Sequence, residues 1–213
     1  MRKLFIVQLL IVFAVAARPD KCRALVLQAG GDRGAYEAGV IGAFVDALPP
    51  EERSWQVLTG ISIGAMNSYV FGHFPPEEDE AAAELLYYFW KDIAPQKLFV
   101  PWEKPLETWQ HSGMFNNSVI VYYLERFSKP HKIQRRVTVG AADANTGQYV
   151  RFNSSLPYHE FFVATRGSAT VPGYFPAVDL HNHTLLDGGI IKVIDVDAAI
   201  KQCEELGYEE KDI

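Results

Sequence analysis

Ser62 is the residue whose surroundings most strongly suggest chemistry. It lies in the segment VLTGISIGAMN between Gly60 and Gly64, with an apolar run before it and small residues after it. A Gly-x-Ser-x-Gly turn from strand to helix exposes the serine hydroxyl above a sheet, and the helix directs its first N–H groups toward the same place. The pattern predicts a nucleophile, and a serine that only caps the helix is the competing interpretation.

A second glycine-rich turn, QAGGDRGAYEAG, lies between the first predicted strand and the first predicted helix. Successive glycine N–H groups can stabilise the oxyanion of an acyl-transfer reaction. The spacing of Gly30, Gly31 and Gly34 does not fit the G-x-G-x-x-G dinucleotide fingerprint, and no Gly-Lys-Ser/Thr follows as in a phosphate loop. An oxyanion loop and a plain tight turn remain as the two interpretations.

The group that accepts the proton of Ser62 is narrowed by the order of residues along the chain. Asp187 is the best-placed acid, because it ends an apolar strand and precedes two glycines. An α/β-hydrolase triad places its histidine after the acid, whereas all six histidines here precede Asp187. A triad would need His181 or His183 in the polar turn HNH, so direct action of Asp187 on Ser62 is the simpler hypothesis.

The apolar periodicity predicts strands that alternate with helices. CRALVLQAG and WQVLTGI are predicted strands followed by helices, RRVTVGAADANTGQYVRF is a strand pair, and VPGYFPAVDLHNHTLLDGG is a hairpin. This order indicates a three-layer α/β/α domain around a mainly parallel central sheet, with catalysis beyond the carboxyl ends of the strands. The aromatic stretch from Phe99 to Trp109 is predicted to be an ordered cap, serving as an acyl-chain wall, an interfacial patch or plain packing.

The composition bounds the class of protein. The chain has 213 residues, is 48% hydrophobic and carries a formal charge of −6, which suits one sizeable core and one domain. The negative charge gives no reason to expect a nucleic-acid partner and argues against holding an anionic membrane through charge alone. The sequence has no His-Glu-x-x-His motif, cysteine cluster or calcium loop, so we expect no metal and no cofactor.

Residues 1–17, MRKLFIVQLLIVFAVAA, are predicted to be a secretory signal. Arg2 and Lys3 precede an apolar run that ends in small residues, and the run is short for a membrane span. An uncleaved signal anchor is the competing interpretation. The prediction divides the chain into a signal at 1–17 and a domain at 18–213 that is secreted or lies in the lumen of the secretory pathway.

Export would place the cysteines in an oxidising compartment. Cys22 and Cys203 are the only two in the sequence, so they either form one disulfide or remain unpaired. Sequons at Asn116, Asn153 and Asn182 are glycosylation candidates that fit an exported surface.

Four motifs in order, AGGDRGAYEAGV, GISIGAMN, GSATVPGYFPAV and DGG, resemble those of patatin-like phospholipases over about Leu25 to Ala199. The resemblance implies a lipid acyl hydrolase of the phospholipase A or lysophospholipase type. It would work through a Ser62–Asp187 dyad and an acyl-enzyme, without a histidine or a cofactor, in transient contact with membrane or micellar lipid. The resemblance also implies the remaining site residues: Gly30, Gly31, Arg33 and Gly34 in the oxyanion hole, Gly60 and Gly64 beside the nucleophile, and Gly188 and Gly189 after the acid.

Three positions depart from the family pattern. Ala29 stands where the first loop glycine is usual, and Val193 and Asp195 stand where an Asn and a Pro usually follow the acid motif. The alternation of strands and helices would also require one more strand after VDAAIKQCEELGYEEKDI, which indicates a C-terminally short domain or a smaller sheet. These departures motivate the alternative function, a catalytically inactive secreted binding or storage protein on the same fold.

Overall fold

A computed structural model describes residues 19–104, 110–128 and 132–213, and this part of the chain is built on a six-stranded sheet with a separate two-stranded ribbon. The predicted signal at 1–17 lies outside the described residues. The strands are β1 (Ala24–Leu27), β2 (Val57–Ile61), β3 (Val100–Pro101), β4 (Phe115–Asn116), β5 (Arg136–Asp143), β6 (Tyr149–Asn153), β7 (Val178–Leu180) and β8 (His183–Asp187).

Seven α-helices lie in the described residues, and short 3-10 turns occupy Gly31–Arg33, Pro76–Glu78, Gly188–Ile190 and Glu210–Asp212. None of these helices is long and apolar enough to cross a membrane. The helices are α1 (Gly34–Ala47), α2 (Pro50–Arg53), α3 (Ile63–Phe71), α4 (Asp79–Ile93), α5 (Ser118–Arg126), α6 (Tyr158–Ser168) and α7 (Val196–Glu205).

The strand order is β1-β2-β5-β8-β7, and β6 also pairs with β5. The central strands β1, β2 and β5 are parallel, which confirms the predicted mainly parallel centre. The outer strands β6, β7 and β8 pair in antiparallel fashion. The hairpins β5–β6 and β7–β8 are antiparallel because their turns are short, and parallel pairing needs a longer connection. The antiparallel pairing of β8 with β5 does not come from a short turn.

The long strand β5 sets the register that matters for the site. Its residues 136–140 pair with β2, where Ile61 lies opposite Gly140. Its residues 141–143 pair with β8, where Asp187 lies opposite Ala141. The residue after Ile61 and the last residue of β8 therefore reach neighbouring positions along β5.

Alternation along the strands divides the core into two layers. Val57 and Leu58 are both fully buried, but Leu58 packs into the large cluster formed with α1, α3, α4 and α6, whereas Val57 packs into a smaller cluster beneath α7. Successive side chains of a strand point to opposite faces of the sheet. Helices therefore cover both faces, as the predicted three-layer α/β/α architecture requires.

The smaller layer is fastened by a disulfide between Cys22 and Cys203. This bond links a residue two positions before β1 to the last turns of α7, and both cysteines are buried beside Tyr208. The backbone N–H of Cys22 also donates to the carbonyl of Asp212 at 2.8 Å. The end of the chain is thus tied to the start of the sheet.

We expect the disulfide to contribute substantially to stability, because it closes a loop with a sequence separation of 181 residues. Replacing Cys22 and Cys203 together by serine should lower the free energy of unfolding by about 2–5 kcal/mol. Urea titrations with and without reductant would measure the loss, with the double variant as the control that reductant no longer affects. A midpoint of the wild-type protein that does not respond to reductant would contradict the prediction.

Candidate active site

Ser62 follows β2 in a strained backbone conformation, with φ 57° and ψ −121°. An L-residue rarely adopts positive φ, and such strain is usual where a side chain must be held out of regular structure. Ser62 occupies the position before α3, but its side chain makes no capping hydrogen bond to the helix. The serine is therefore not used as a helix cap.

The glycines on either side of Ser62 allow this turn to pack closely. A methyl group at Gly60 would lie 2.6 Å from the backbone nitrogen of Ala65 and nearer still to the carbonyl of Gly64. A methyl group at Gly64 would lie 2.6 Å from the carbonyl oxygen of Leu27 at the end of β1. Both contacts are too short for a real carbon atom, so the Gly-x-Ser-x-Gly spacing is required by packing.

The hydroxyl of Ser62 donates a hydrogen bond to Asp187, with Oγ and Oδ2 separated by 2.6 Å. Both side chains are buried, Ser62 being 8% and Asp187 5% exposed. The other carboxylate oxygen of Asp187 accepts from the backbone N–H of Gly189 at 2.7 Å. The backbone N–H of Asp187 donates to the carbonyl of Thr170 at 2.7 Å. The carboxylate is held on both sides with one oxygen aimed at the serine.

Burial raises the pKa of Asp187 above its ordinary value, and the hydrogen bonds from Ser62 and Gly189 only partly oppose this rise. A carboxylate accepts a proton more readily as its pKa approaches the working pH. The environment therefore shifts Asp187 in the direction that a general base needs.

Ser168 is a further residue of this site that the sequence analysis did not identify. Its hydroxyl accepts from the backbone N–H of Ser62 at 3.0 Å and donates to the carbonyl of Gly140 at 2.6 Å. It thereby fixes the strained turn to the middle of β5. Ser168 lies within the motif GSATVPGYFPAV, but no spacing or composition there indicates a partner 106 positions away.

Both histidines of the HNH turn are bonded to residues other than Ser62 and Asp187. His181 is bonded to Glu160, with Nε2 and Oε2 separated by 2.9 Å, and His183 is bonded to Asp143, with Nδ1 and Oδ2 separated by 3.1 Å. Hydrogen bonds, first that from His183 and then those from Thr146, Asn145 and Thr184, lower the pKa of Asp143 to about 2. The structure therefore gives no geometry for a Ser-His-Asp triad through these two residues.

The predicted oxyanion loop lies next to Ser62. Gly31 has φ 59°, a conformation suited to glycine, and begins the 3-10 turn that leads into α1. The first N–H groups of such a turn have no partner within the turn itself. Arg33 folds back onto the loop, donating from Nε to the carbonyl of Gly30 at 3.1 Å, and a methyl at Gly34 would lie 2.5 Å from the ring of Trp90.

Two of the three departures from the family pattern meet each other. The backbone N–H of Ala29 donates to the carbonyl of Val193 at 2.8 Å. This hydrogen bond connects the start of the oxyanion loop to the segment that follows the acid motif. It uses only backbone groups, so the side chains at positions 29 and 193 do not disturb it.

Asp195, the third departure, anchors the segment after the acid motif through its side chain. Its carboxylate accepts two hydrogen bonds from Arg151, at 2.6 and 2.8 Å, one from Lys192 at 2.8 Å and one from Tyr149 at 3.0 Å. Burial alone would raise the pKa of Asp195, but the hydrogen bonds from Arg151, Lys192 and Tyr149 outweigh it and lower the pKa well below the ordinary value. The residue is thus a buried carboxylate with cationic partners.

Ser62 lies in the wall of an apolar cavity of about 740 Å³. Phe99 of the predicted cap is part of that wall and stacks on Phe175, with ring centroids 5.6 Å apart. Residues 105–109 of the cap lie outside the described residues. Gly31 and Asp32 line the cavity together with these aromatic and aliphatic side chains: Ala35, Ile63, Met66, Trp90, Ile93, Ala94, Leu98, Ile120, Ala169, Val171 and Tyr174.

The three sequons lie at or near the surface. The side-chain oxygens of Asn116 and Asn153 each accept from the serine two positions later, Ser118 and Ser155, and Asn182 is exposed at the tip of the β7–β8 hairpin. Among the residues that the structure describes, no group of three or more His, Cys, Asp or Glu side chains is arranged to hold a metal ion.

The comparison with protein families decides what this chain is related to. A family model described as patatin-like phospholipase matches residues 25–200, which is most of the chain. The chain belongs to the patatin-like phospholipase family. Members of this family are lipid acyl hydrolases, and the resemblance drawn from the four motifs is thereby confirmed.

No curated protein matches the patatin-like domain. Among solved structures, it is similar to the crystal structure of VipD from Legionella pneumophila, with 13% identity and a TM-score of 0.47. The match covers 81% of the patatin-like chain but 46% of VipD, so this chain spans about half the length of that protein.

The close packing of Gly64 gives a sharp test of the turn in the patatin-like domain. Gly64→Ala should push the turn away from Leu27 and Gln28. We expect the rate at which a fluorophosphonate labels Ser62 to fall at least tenfold, which corresponds to a rise of about 1.4 kcal/mol in the activation free energy. Gly39→Ala is the matched control, because a methyl there meets nothing within 4 Å and improves helix propensity.

Labelling rates and thermal melting should be measured for both glycine variants. Gly39→Ala should melt no lower than wild type and be labelled at the same rate. If Gly64→Ala were labelled as fast as Gly39→Ala, the turn would not depend on this contact.

Proposed function

We propose that this patatin-like domain is a lipid acyl hydrolase of the phospholipase A or lysophospholipase type that works through a Ser62–Asp187 dyad. The observation that carries the proposal is the 2.6 Å hydrogen bond from Ser62 Oγ to Asp187 Oδ2 in the wall of an apolar cavity of about 740 Å³. The cavity is large enough for an acyl chain and offers it aliphatic and aromatic contacts.

Acylation begins when Ser62 Oγ attacks the carbonyl carbon of a fatty-acyl ester. Its proton passes to Asp187 Oδ2, the atom to which the hydroxyl already donates. Negative charge develops on the carbonyl oxygen, and the N–H groups of the Gly30–Arg33 loop and the start of α3 supply donors on that side of Ser62.

Collapse of the tetrahedral intermediate releases the alcohol part of the lipid, which takes the proton from Asp187. The fatty acid then remains as an ester on Ser62. Water attacks this acyl-enzyme while Asp187 again accepts a proton, and return of the proton to Ser62 Oγ frees the fatty acid. Atoms balance with one water consumed, and no cofactor takes part.

We further infer that the domain acts after export. The Cys22–Cys203 disulfide supports this inference, because disulfides persist in oxidising compartments, and the three surface sequons are compatible with it. Two free thiols in the folded protein, as measured by thiol titration, would contradict it. Contact with membrane or micellar lipid would be transient.

Substitutions in the dyad test the proposed mechanism. Ser62→Ala should abolish both fluorophosphonate labelling and release of fatty acid from phospholipid micelles, because no nucleophile remains. Asp187→Asn should reduce the labelling rate about 10²–10⁴-fold, the usual contribution of a general base. His181→Asn with His183→Asn is the matched control and should be labelled like wild type, since these residues bond to Glu160 and Asp143.

Retained turnover in Ser62→Ala would exclude the proposed nucleophile. Loss of labelling in the double histidine variant, with an unchanged melting temperature, would instead favour a histidine-dependent mechanism. Well-folded wild-type protein that hydrolyses no ester and takes no label would favour the inactive binding protein.

The raised pKa of Asp187 predicts the pH dependence. Asp187 accepts a proton only when ionised, so kcat/KM on a soluble short-chain ester should fall as the pH drops through a pKa above the ordinary 3.8. A pKa raised on folding means that ionisation of Asp187 costs stability as the pH rises. Asp187→Asn should therefore not unfold the protein at neutral pH, which separates lost activity from lost structure.

The pH profile should be recorded for wild type and for the double histidine variant. The acidic inflection should be the same in both. An inflection at or below about pH 4, the range of an unperturbed carboxyl, would contradict the assignment of a buried base.

A further inference from the structure

The segment that follows the acid motif exposes an unusual run of apolar side chains. Single exposed aliphatic residues are ordinary on a protein surface, but a contiguous group is a mark of an interaction site. Five of the seven residues at 190–196, here called the aliphatic segment, are aliphatic and 40–56% exposed: Ile190, Ile191, Val193, Ile194 and Val196.

The aliphatic segment lies at the carboxyl ends of the central strands, on the same edge of the sheet as Ser62. It begins three residues after Asp187, and its Val193 carbonyl accepts from Ala29, just beyond the carboxyl end of β1. It ends where α7 begins, and α7 then crosses the sheet to the opposite edge, where Cys203 meets Cys22.

The aliphatic segment is continuous with the mouth of the site through the oxyanion loop. On one side, Gly30 and Arg33 share a cavity of about 400 Å³ with Ile194 and the highly exposed Tyr36. On the other side, the loop lines the 740 Å³ cavity that contains Ser62. The large exposed apolar side chains of that second cavity are Phe99, Val171 and Tyr174. The loop thus lies between two groups of exposed apolar side chains.

The charges around the aliphatic segment favour a surface without net charge. Lys192, the cation within the segment, donates to Asp195 at 2.8 Å and also pairs with Asp197. The chain as a whole carries a formal charge of −6. The paired Lys192 therefore offers an anionic membrane no free charge, and the net negative charge of the chain opposes such a membrane. A zwitterionic surface would accept the apolar side chains without repulsion.

We propose that the aliphatic segment and Tyr36 insert into a zwitterionic phospholipid surface and so bring the mouth of the Ser62 cavity against the lipid. This proposal rests on the proposed lipid hydrolysis and names the surface by which the domain meets its substrate. Docking the aliphatic segment places the oxyanion loop at the lipid, so that an acyl ester has only to enter the adjoining cavity.

Binding should be measured without catalysis, on Ser62→Ala protein floated with phosphatidylcholine vesicles. Adding Ile191→Asp and Val193→Asp should weaken binding at least about tenfold, because two apolar side chains are replaced by charges. Ile213→Asp is the matched control, because Ile213 is also a partly exposed aliphatic residue. It lies away from the aliphatic segment, next to Asp212, whose carbonyl accepts from the backbone N–H of Cys22 before β1. It should bind like the parent, and melting temperatures should show that all variants fold.

A second pair of variants keeps the segment apolar, so it does not depend on the charged variant folding. Ile191→Trp should be quenched by brominated phosphatidylcholine when vesicles are added, beyond the quenching of the native tryptophans. Ile213→Trp should show no additional quenching. Adding anionic lipid should not strengthen binding of either protein.

Equal binding of the Ile191/Val193 and Ile213 variants, or no vesicle binding by the parent, would overturn the proposal. Light scattering gives a further test. If wild type were a dimer and the Ile191/Val193 variant a monomer, with vesicle binding unchanged, the segment would contact a second copy of the chain and the proposal would be wrong. Fluorophosphonate labelling of the protein with Ser62 present reports separately on the dyad. Failure there, with vesicle binding intact, would count against the hydrolase and not against the surface.

Discussion

The register of β5 is the constraint on which the rest of the structure depends. One strand pairs with β2 as far as Gly140 and with β8 from Ala141 onward, so the residue after β2 and the last residue of β8 are forced together. A slip of one residue on either side would reverse the faces of every side chain in that strand and separate the dyad. Ser168 strengthens this arrangement, because its hydroxyl joins the backbone of Ser62 to the carbonyl of Gly140.

The site is also held from the side of the oxyanion loop. Gly64 approaches the end of β1 so closely that the turn at Ser62 and the loop after β1 cannot move independently. The hydrogen bond from Ala29 to Val193 then connects that loop to the segment after Asp187, and Asp195 fixes the segment to Arg151 on β6. Ser62, the loop after β1 and Asp187 are thus connected at one edge of the sheet, as the proposed acyl transfer requires of a preorganised site.

The parts of this arrangement that carry a local signal could be predicted from the sequence. Ser62 is marked by its flanking glycines, Asp187 by the strand before it and the glycines after it, and the layers by apolar periodicity. The parts that depend on distant pairing could not: Ser168 meets Ser62 across 106 positions, and Asp195 meets Arg151 across 44. The sequence marks Asp195 only as a departure from the family pattern, because its partner Arg151 comes from another strand. Burial of the Asp195 carboxylate is tolerated because such partners satisfy its charge.

The disulfide would keep the domain covalently in one piece after proteolytic cleavage of a loop. Cys22 and Cys203 are 181 positions apart, so the disulfide spans every peptide bond in the intervening chain. A protease that opens an exposed loop would leave two fragments that stay covalently joined and still share one sheet. Such a nicked molecule would stay in one piece until the disulfide was reduced.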